Sequence, residues 1–294
     1  MLNRQNKKEE GTLSDASTLL TRFNNIQTLP HVAIRLSKMI ADDTSSIDDF
    51  EDVIRGDPTL EIRLLRVVNS TYYGFRKKIS SISQALDFIG IESLRNMVMV
   101  EALKSIFTLN QKKTLFSPEK LWLHSATVGL CSQMICERIF GKSGENAFLC
   151  GILHDVGIIV EHQAEPDLFQ KVCQGLHDEP APVIDHENRI IGTNHSKIGT
   201  KLAEEWNTPA EVQKGIFNHH IILADISPAS ISGIIQIAEY FAGRLERPAL
   251  SGMRPTLAPT LTDHIKDNIQ EYRTLSKDLP GELTKAKEIY DLET

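Results

Sequence analysis

An all-α fold of two closely packed helical blocks is the architecture this 294-residue sequence predicts. Three observations predict it. Apolar residues recur at i, i+3, i+4 and i+7 through most of the chain, and the alternation of half-buried strands is nearly absent. Ser, Asp, Pro and Gly stand where such stretches begin and end. A composition of 41% hydrophobic and 24% charged residues belongs to an ordinary globular chain long enough for a real core.

Taken in order, residues 1–16 are polar and predict a flexible N-terminus. Residues 17–115 form the first helical block. Within it Asp57 and Pro58 make an N-cap and first-turn pair, and Leu60, Leu64 and Val68 share the face that follows. Ile82, Ala85, Leu86 and Ile89 repeat the pattern, Gly90 ends that helix, and another resumes through Leu94, Met97 and Val98. The polar stretch LNQKKTLFSPEK separates the blocks, and Ser117 and Pro118 start the second, residues 116–246. There AFLCGILHDVGIIV, residues 147–160, reads as one buried helix. Asn194 caps a helix that begins at His195. Thr208, Pro209 and Glu211 predict a capping box for the helix that ends at His219 and His220. Residues 247–294 read as a C-terminal connection and helical tail, with 250–264 rich in Pro and Thr and a weak helical pattern from Ile265 to Leu275. No internal repeat is visible.

Charge and cysteine content narrow the function classes. A formal net charge of −7 argues against broad nonspecific binding to nucleic acid or anionic lipid. The basic stretch RLLRVVNSTYYGFRKK, with Arg63, Arg66, Arg76, Lys77 and Lys78, reads as a solvated face beside packed tyrosines. No apolar run approaches the roughly 18 residues that span a bilayer. The N-terminus shows no signal-peptide core, and four cysteines lack CxxC spacing. Reduced thiols in a cytoplasmic protein are therefore expected.

Five places interrupt otherwise apolar faces with metal-ligating groups. His154 and Asp155 stand inside the 147–160 run. His124 shares a stripe with Leu121, Val128 and Cys131, and His195 opens the helix continued by Ile198, Leu202 and Trp206. His219 and His220 follow Val212 and Ile216, and Glu239 follows Ile235 and Ala238. Each one alone reads more readily as a hydrogen-bonded core histidine or, for Glu239, an ion-pair partner than as a metal ligand. Together they match the N/O ligand preference of iron, manganese, zinc or nickel. His162, His177, His186 and His264 are expected to be exposed or loop-borne.

The order His124, His154-Asp155, then a late carboxylate resembles the signature of the HD-superfamily metal-dependent phosphohydrolases. His195 and the His219-His220 pair resemble the extended ligand set of its HD-GYP branch. NIQTLPHVAIRLSKMI, DPTLEIRLLRVVNSTYYG and ISSISQALDFIGIESLRNMVM resemble an HDOD domain, the HD-related output domain of bacterial signalling proteins, over roughly residues 22–225. The resemblance implies an HD-like helical bundle preceded by a closely packed N-terminal helical subdomain. It also implies one or two metal ions in two subsites. One uses His124, His154, Asp155 and Glu239; the other uses His195, His219 and His220, with Asp155 bridging. Glu239 stands where the superfamily has Asp, Ile158 where HD-GYP proteins carry a lysine, and HHIILADISPAS replaces the GYP motif. These departures favour a signalling module with little or no hydrolysis of cyclic di-GMP. The implied partner is a signalling protein; neither nucleic acid nor a membrane is expected. The near-complete ligand set keeps open a phosphohydrolase acting on a phosphate-containing small molecule.

Overall fold

The computed structural model describes residues 14–24, 31–41, 45–70, 72–107, 115–179 and 181–290. All regular structure among them is helical. Residues 1–13 of the expected flexible N-terminus, and residues 109–114 of the predicted inter-block loop, lie outside the described residues.

The first half contains α1 (Ala16–Asn24), α2 (His31–Ala41), α3 (Ile47–Arg55), α4 (Pro58–Val68) and α5 (Ile82–Phe107). Asp57 caps α4, its carboxylate accepting from the N–H groups of Thr59 and Leu60, and Leu64 and Val68 are fully buried. Gly90 divides α5 with a φ of 77°, a backbone conformation that L side chains rarely adopt. Helices α2, α3 and α4 pack on α5, and α5 leans on α6 and α7. By contrast, α1 packs on α8 and α11 in the second half. Ser14 N–H donates to the Ile191 carbonyl, and Arg22 pairs with Glu165.

The second half contains α6 (Pro118–Arg138), α7 (Glu145–Leu153), α8 (Val156–Ala164), α9 (Pro166–Asp178), α10 (Val183–Ile190), α11 (His195–Glu205), α12 (Ala210–Asn218) and α13 (Ile231–Arg244). Ser117 and Asn194 cap α6 and α11 as their sequence predicts. The capping box expected at Thr208 does not form. Its hydroxyl donates instead to the Ala203 carbonyl, serving the end of α11, while Glu211 accepts from Asn146.

The tail is more ordered than its weak periodicity predicts. Pro259, a residue suited to a first helical turn, opens α14 (Pro259–Asp267) inside the expected connection. Then α15 (Ile269–Tyr290) packs on α6, burying Tyr272, Leu275, Leu279 and Leu283. All four cysteines are buried and unpaired. Among the described residues, no helix is long and apolar enough to cross a membrane.

Candidate metal centre

The 147–160 run is not one helix. It breaks at His154 and Asp155, between α7 and α8. The last carbonyls of a helix lack intrahelical partners, and His154 Nδ1–H takes one of them, the Gly151 oxygen, at 2.7 Å. Asp155 leaves helical geometry with φ −103° and ψ 10°. On a continuous helix, consecutive side chains diverge by about 100°; the break turns both toward one point.

Four imidazoles converge there with the same orientation. His124 Nδ1–H donates to the Arg247 carbonyl at 2.6 Å, and His219 Nδ1–H to the Ile216 carbonyl at 2.6 Å. His154 rests on Gly151, and His195 Nδ1–H donates to Glu187 Oε1 at 2.7 Å. A carbonyl only accepts, so these contacts assign the ring proton to Nδ1 and turn Nε2 inward. His124 and His154 Nε2 lie 3.4 and 3.2 Å from Asp155 Oδ2. His195 and His219 Nε2 lie 3.3 and 3.4 Å from Asp155 Oδ1. Within each pair the two Nε2 atoms are 3.2 Å apart. Glu239 Oε1 completes the first group, 2.8 Å from His124 Nε2 and 2.6 Å from His154 Nε2. His220 completes the second, with its Nε2 buried and without a hydrogen-bond partner.

All seven predicted residues are thus together. They form two groups that share Asp155, and the candidate ligand atoms within each group lie within 4.8 Å of one another. This buried cluster of histidines and carboxylates can hold metal. Asp155 is fully buried, with the four imidazoles around it. Without metal, protons must neutralise it. Burial opposes charge on every one of these groups, yet Asp155 and Glu239 hold His124 well above the ordinary histidine range and His154 at about 9. Against the same burial, His154 and its neighbours hold Asp155 well below the ordinary carboxylate range. Burial and His219 push His220 well down, so it stays neutral with a free lone pair.

A cavity of about 820 Å³ reaches the centre at His219, His220 and Glu239. Its walls include Val183 and Met253, and Arg254 stands on its lining. Phe217, Ile221, Ile222 and Leu223 are exposed beside the His pair.

Two histidines expected outside the core are inside it. His186 on α10 is fully buried, its Nε2–H donating to the Glu179 carbonyl and its Nδ1 accepting from Arg189. Gly175 makes room for that ring. His162 on α8 is buried against Phe116 and Phe169. His177 is exposed and His264 half-buried. Two fully buried carboxylates, Glu187 and Glu161, escaped the sequence reading. The signal was present in Val183, His186, Glu187 and Ile190, which follow i, i+3, i+4, i+7.

Comparison with known proteins follows the same lines. The HDOD domain family matches residues 26–222. An HDOD domain protein of unknown function from Geobacter sulfurreducens superposes with a TM-score of 0.72 at 23% identity, covering 94% of this chain and 99% of that one. A protein from Shewanella amazonensis, described only as a candidate phosphohydrolase, gives a TM-score of 0.69 at 21% identity, covering 93% and 97%. At these identities the likeness is one of fold. An uncharacterised protein of Treponema pallidum is 26% identical over 216 residues, 70% of this chain and 39% of that protein. The chain spans less than half the length of the curated relatives it matches.

Proposed function

Because the chain belongs to the HDOD family, we propose that it is a bacterial signalling module built around a buried one- or two-metal centre, with little or no hydrolysis of cyclic di-GMP. One observation carries the metal reading. Four Nε2 atoms, each with its Nδ1 already committed, converge on the two oxygens of one fully buried carboxylate. Neutral Nε2 lone pairs 3.2 Å apart repel unless a cation or a proton lies between them. The donor set suits iron, manganese, zinc or nickel, held by His124, His154, Asp155 and Glu239 on one side and Asp155, His195, His219 and His220 on the other. With iron, the centre also suits redox or oxygen sensing.

The module reading is supported by what replaces the catalytic motifs. Ile158, at the position of the HD-GYP lysine, is fully buried in the core, so that position offers no cation to a phosphate. Where the GYP motif is missing, Ile221, Ile222 and Leu223 are exposed, and exposed apolar clusters of this kind mark protein contacts. The proposed partner is a signalling protein. A cytoplasmic location belongs to the same proposal, supported by the four unpaired thiols.

A second reading is a metal-dependent phosphohydrolase acting on a nucleotide or cyclic dinucleotide. The cavity beside His219, His220 and Glu239 favours it, because about 820 Å³ is within the range of small-molecule sites. Bound metals lower the pKa of a coordinated water and hold a phosphate oxygen. The test is a screen of the metal-loaded protein against cyclic di-GMP, nucleotides and generic phosphoesters, beside Asp155→Asn. No turnover above the variant is expected. Metal-dependent turnover lost in Asp155→Asn would replace the module with the hydrolase.

A further inference from the structure

His195 differs from the other converging histidines. Three of them rest on main-chain carbonyls, whereas His195 Nδ1–H faces both oxygens of Glu187, at 2.7 and 2.8 Å. Glu187 Oε2 also accepts the main-chain N–H of His195 at 3.1 Å. The same carboxylate therefore fixes both the ring and the first turn of α11. Glu187 is fully buried and lies on α10, outside both groups of candidate ligands.

Charge explains why a carboxylate stands there. The group of His124 and His154 has Glu239 to itself and shares Asp155. The group of His195, His219 and His220 has only the shared Asp155. Two divalent cations would meet two carboxylates, one shared and the other belonging to the first subsite alone. Glu187 restores the balance through an imidazole, as carboxylate–histidine–metal arrangements do, orienting the ring and raising its basicity.

A buried carboxylate costs several kcal/mol unless hydrogen bonds compensate. The ring and main-chain N–H groups of His195 supply them for Glu187, while Glu161 on α8 is fully buried with neither oxygen hydrogen-bonded. Its own burial, and Glu187 beside it, push its carboxyl well above the ordinary carboxylate range. It stays neutral beside Glu187.

We infer that Glu187 is the positioning residue and dedicated counter-charge of the His195, His219 and His220 subsite. The inference rests on the metal reading above. Two chemically unequal subsites follow from it, and loss of Glu187 weakens one of them alone.

Cobalt(II) titration of the chelator-stripped full-length protein, followed by visible absorption and elemental analysis, tests this. The wild type is expected to fill two sites. Glu187→Gln keeps an acceptor for Nδ1–H and removes the charge, so affinity at one site falls roughly 10–100-fold while the other is unchanged. Glu161→Gln, neutral like the buried acid it replaces, keeps both. Glu239→Gln weakens the opposite site, giving a different residual cobalt spectrum. A merely structural role would weaken both sites or neither. Two unaltered sites in Glu187→Gln, or joint loss of both, overturns the inference while leaving the metal reading intact. A wild type that takes up no cobalt overturns the metal reading and the inference with it. Should Glu187→Gln fail to fold, Glu187→Asp carries the test. It retains the charge at shorter reach, so the same site must weaken first and by less.

Discussion

At the residue scale the centre is a problem of protons and cations competing for one carboxylate. With metal absent, His154 keeps its proton up to about pH 9, because Asp155 beside it outweighs the cost of burial. A folded-state pKa raised from 6.5 to about 9 contributes stability that is complete below about pH 6.5 and lost as pH rises toward 9. Chelator-stripped protein is therefore expected to lose resistance to urea between about pH 6 and about pH 9. Metal-loaded protein, with a cation in place of those protons, is expected to lose much less. Metal uptake should release protons in the same window, measurable in weakly buffered solution. Ile158→Lys is expected to destabilise the protein by several kcal/mol rather than to create hydrolysis, since that side chain is fully buried. The seven candidate ligands were legible because imidazole or carboxylate interrupted an apolar stripe. Glu187 was harder to read, because VIDHENRI is short and mostly polar and only Val183 and Ile190 mark the face it shares.

At the element scale, close helix crossings hold the ligands in place. A Cβ on Gly157 would lie 2.1 Å from the His195 carbonyl oxygen, so α8 and α11 touch backbone to backbone where Asp155 meets His195. Gly157→Ala is expected to cost about 1–3 kcal/mol and to weaken the His195 subsite before the other. Thermal melts with metal analysis check both. Similarly, a Cβ on Gly151 would lie 2.6 Å from the Gly129 Cα, which fixes α6 against α7 and thus His124 against His154. Helix starts at Asp57, Ser117 and Asn194 could be read directly, because a capping side chain acts on its own first turn. The break at His154-Asp155 could not. It depends on side chains from α6, α11 and α13, so periodicity alone continues the helix through it. Thr208 misled for a related reason: its hydroxyl serves the preceding helix.

At the scale of the whole molecule, the ends of the chain brace the site from outside. Helix α1 covers α8 and α11, and α15 covers α6, the carrier of His124. Neither placement was legible in the sequence, since an amphipathic helix does not reveal which surface it will cover. Tyr272 stacks on Phe241 of α13, tying the tail to the helix that bears Glu239. Leu279→Ala, at a fully buried position of α15, is expected to cost about 2–5 kcal/mol in urea denaturation. Metal affinity should change little if the fold holds. The acidic surface implied by a net charge of −7 predicts no measurable duplex-DNA affinity at physiological salt. A gel-shift titration checks that.

The most direct test of the metal centre is elemental analysis of the protein purified without chelator or added metal, beside Asp155→Ala and His219→Ala variants whose folding is confirmed by circular dichroism. One or two equivalents of iron, manganese, zinc or nickel are predicted for the wild type. They should be lost from Asp155→Ala, which removes the shared carboxylate, and reduced in His219→Ala. A folded wild type with no metal, and none taken up on addition, would contradict the account. The cluster would then be an internal hydrogen-bond network held together by protons.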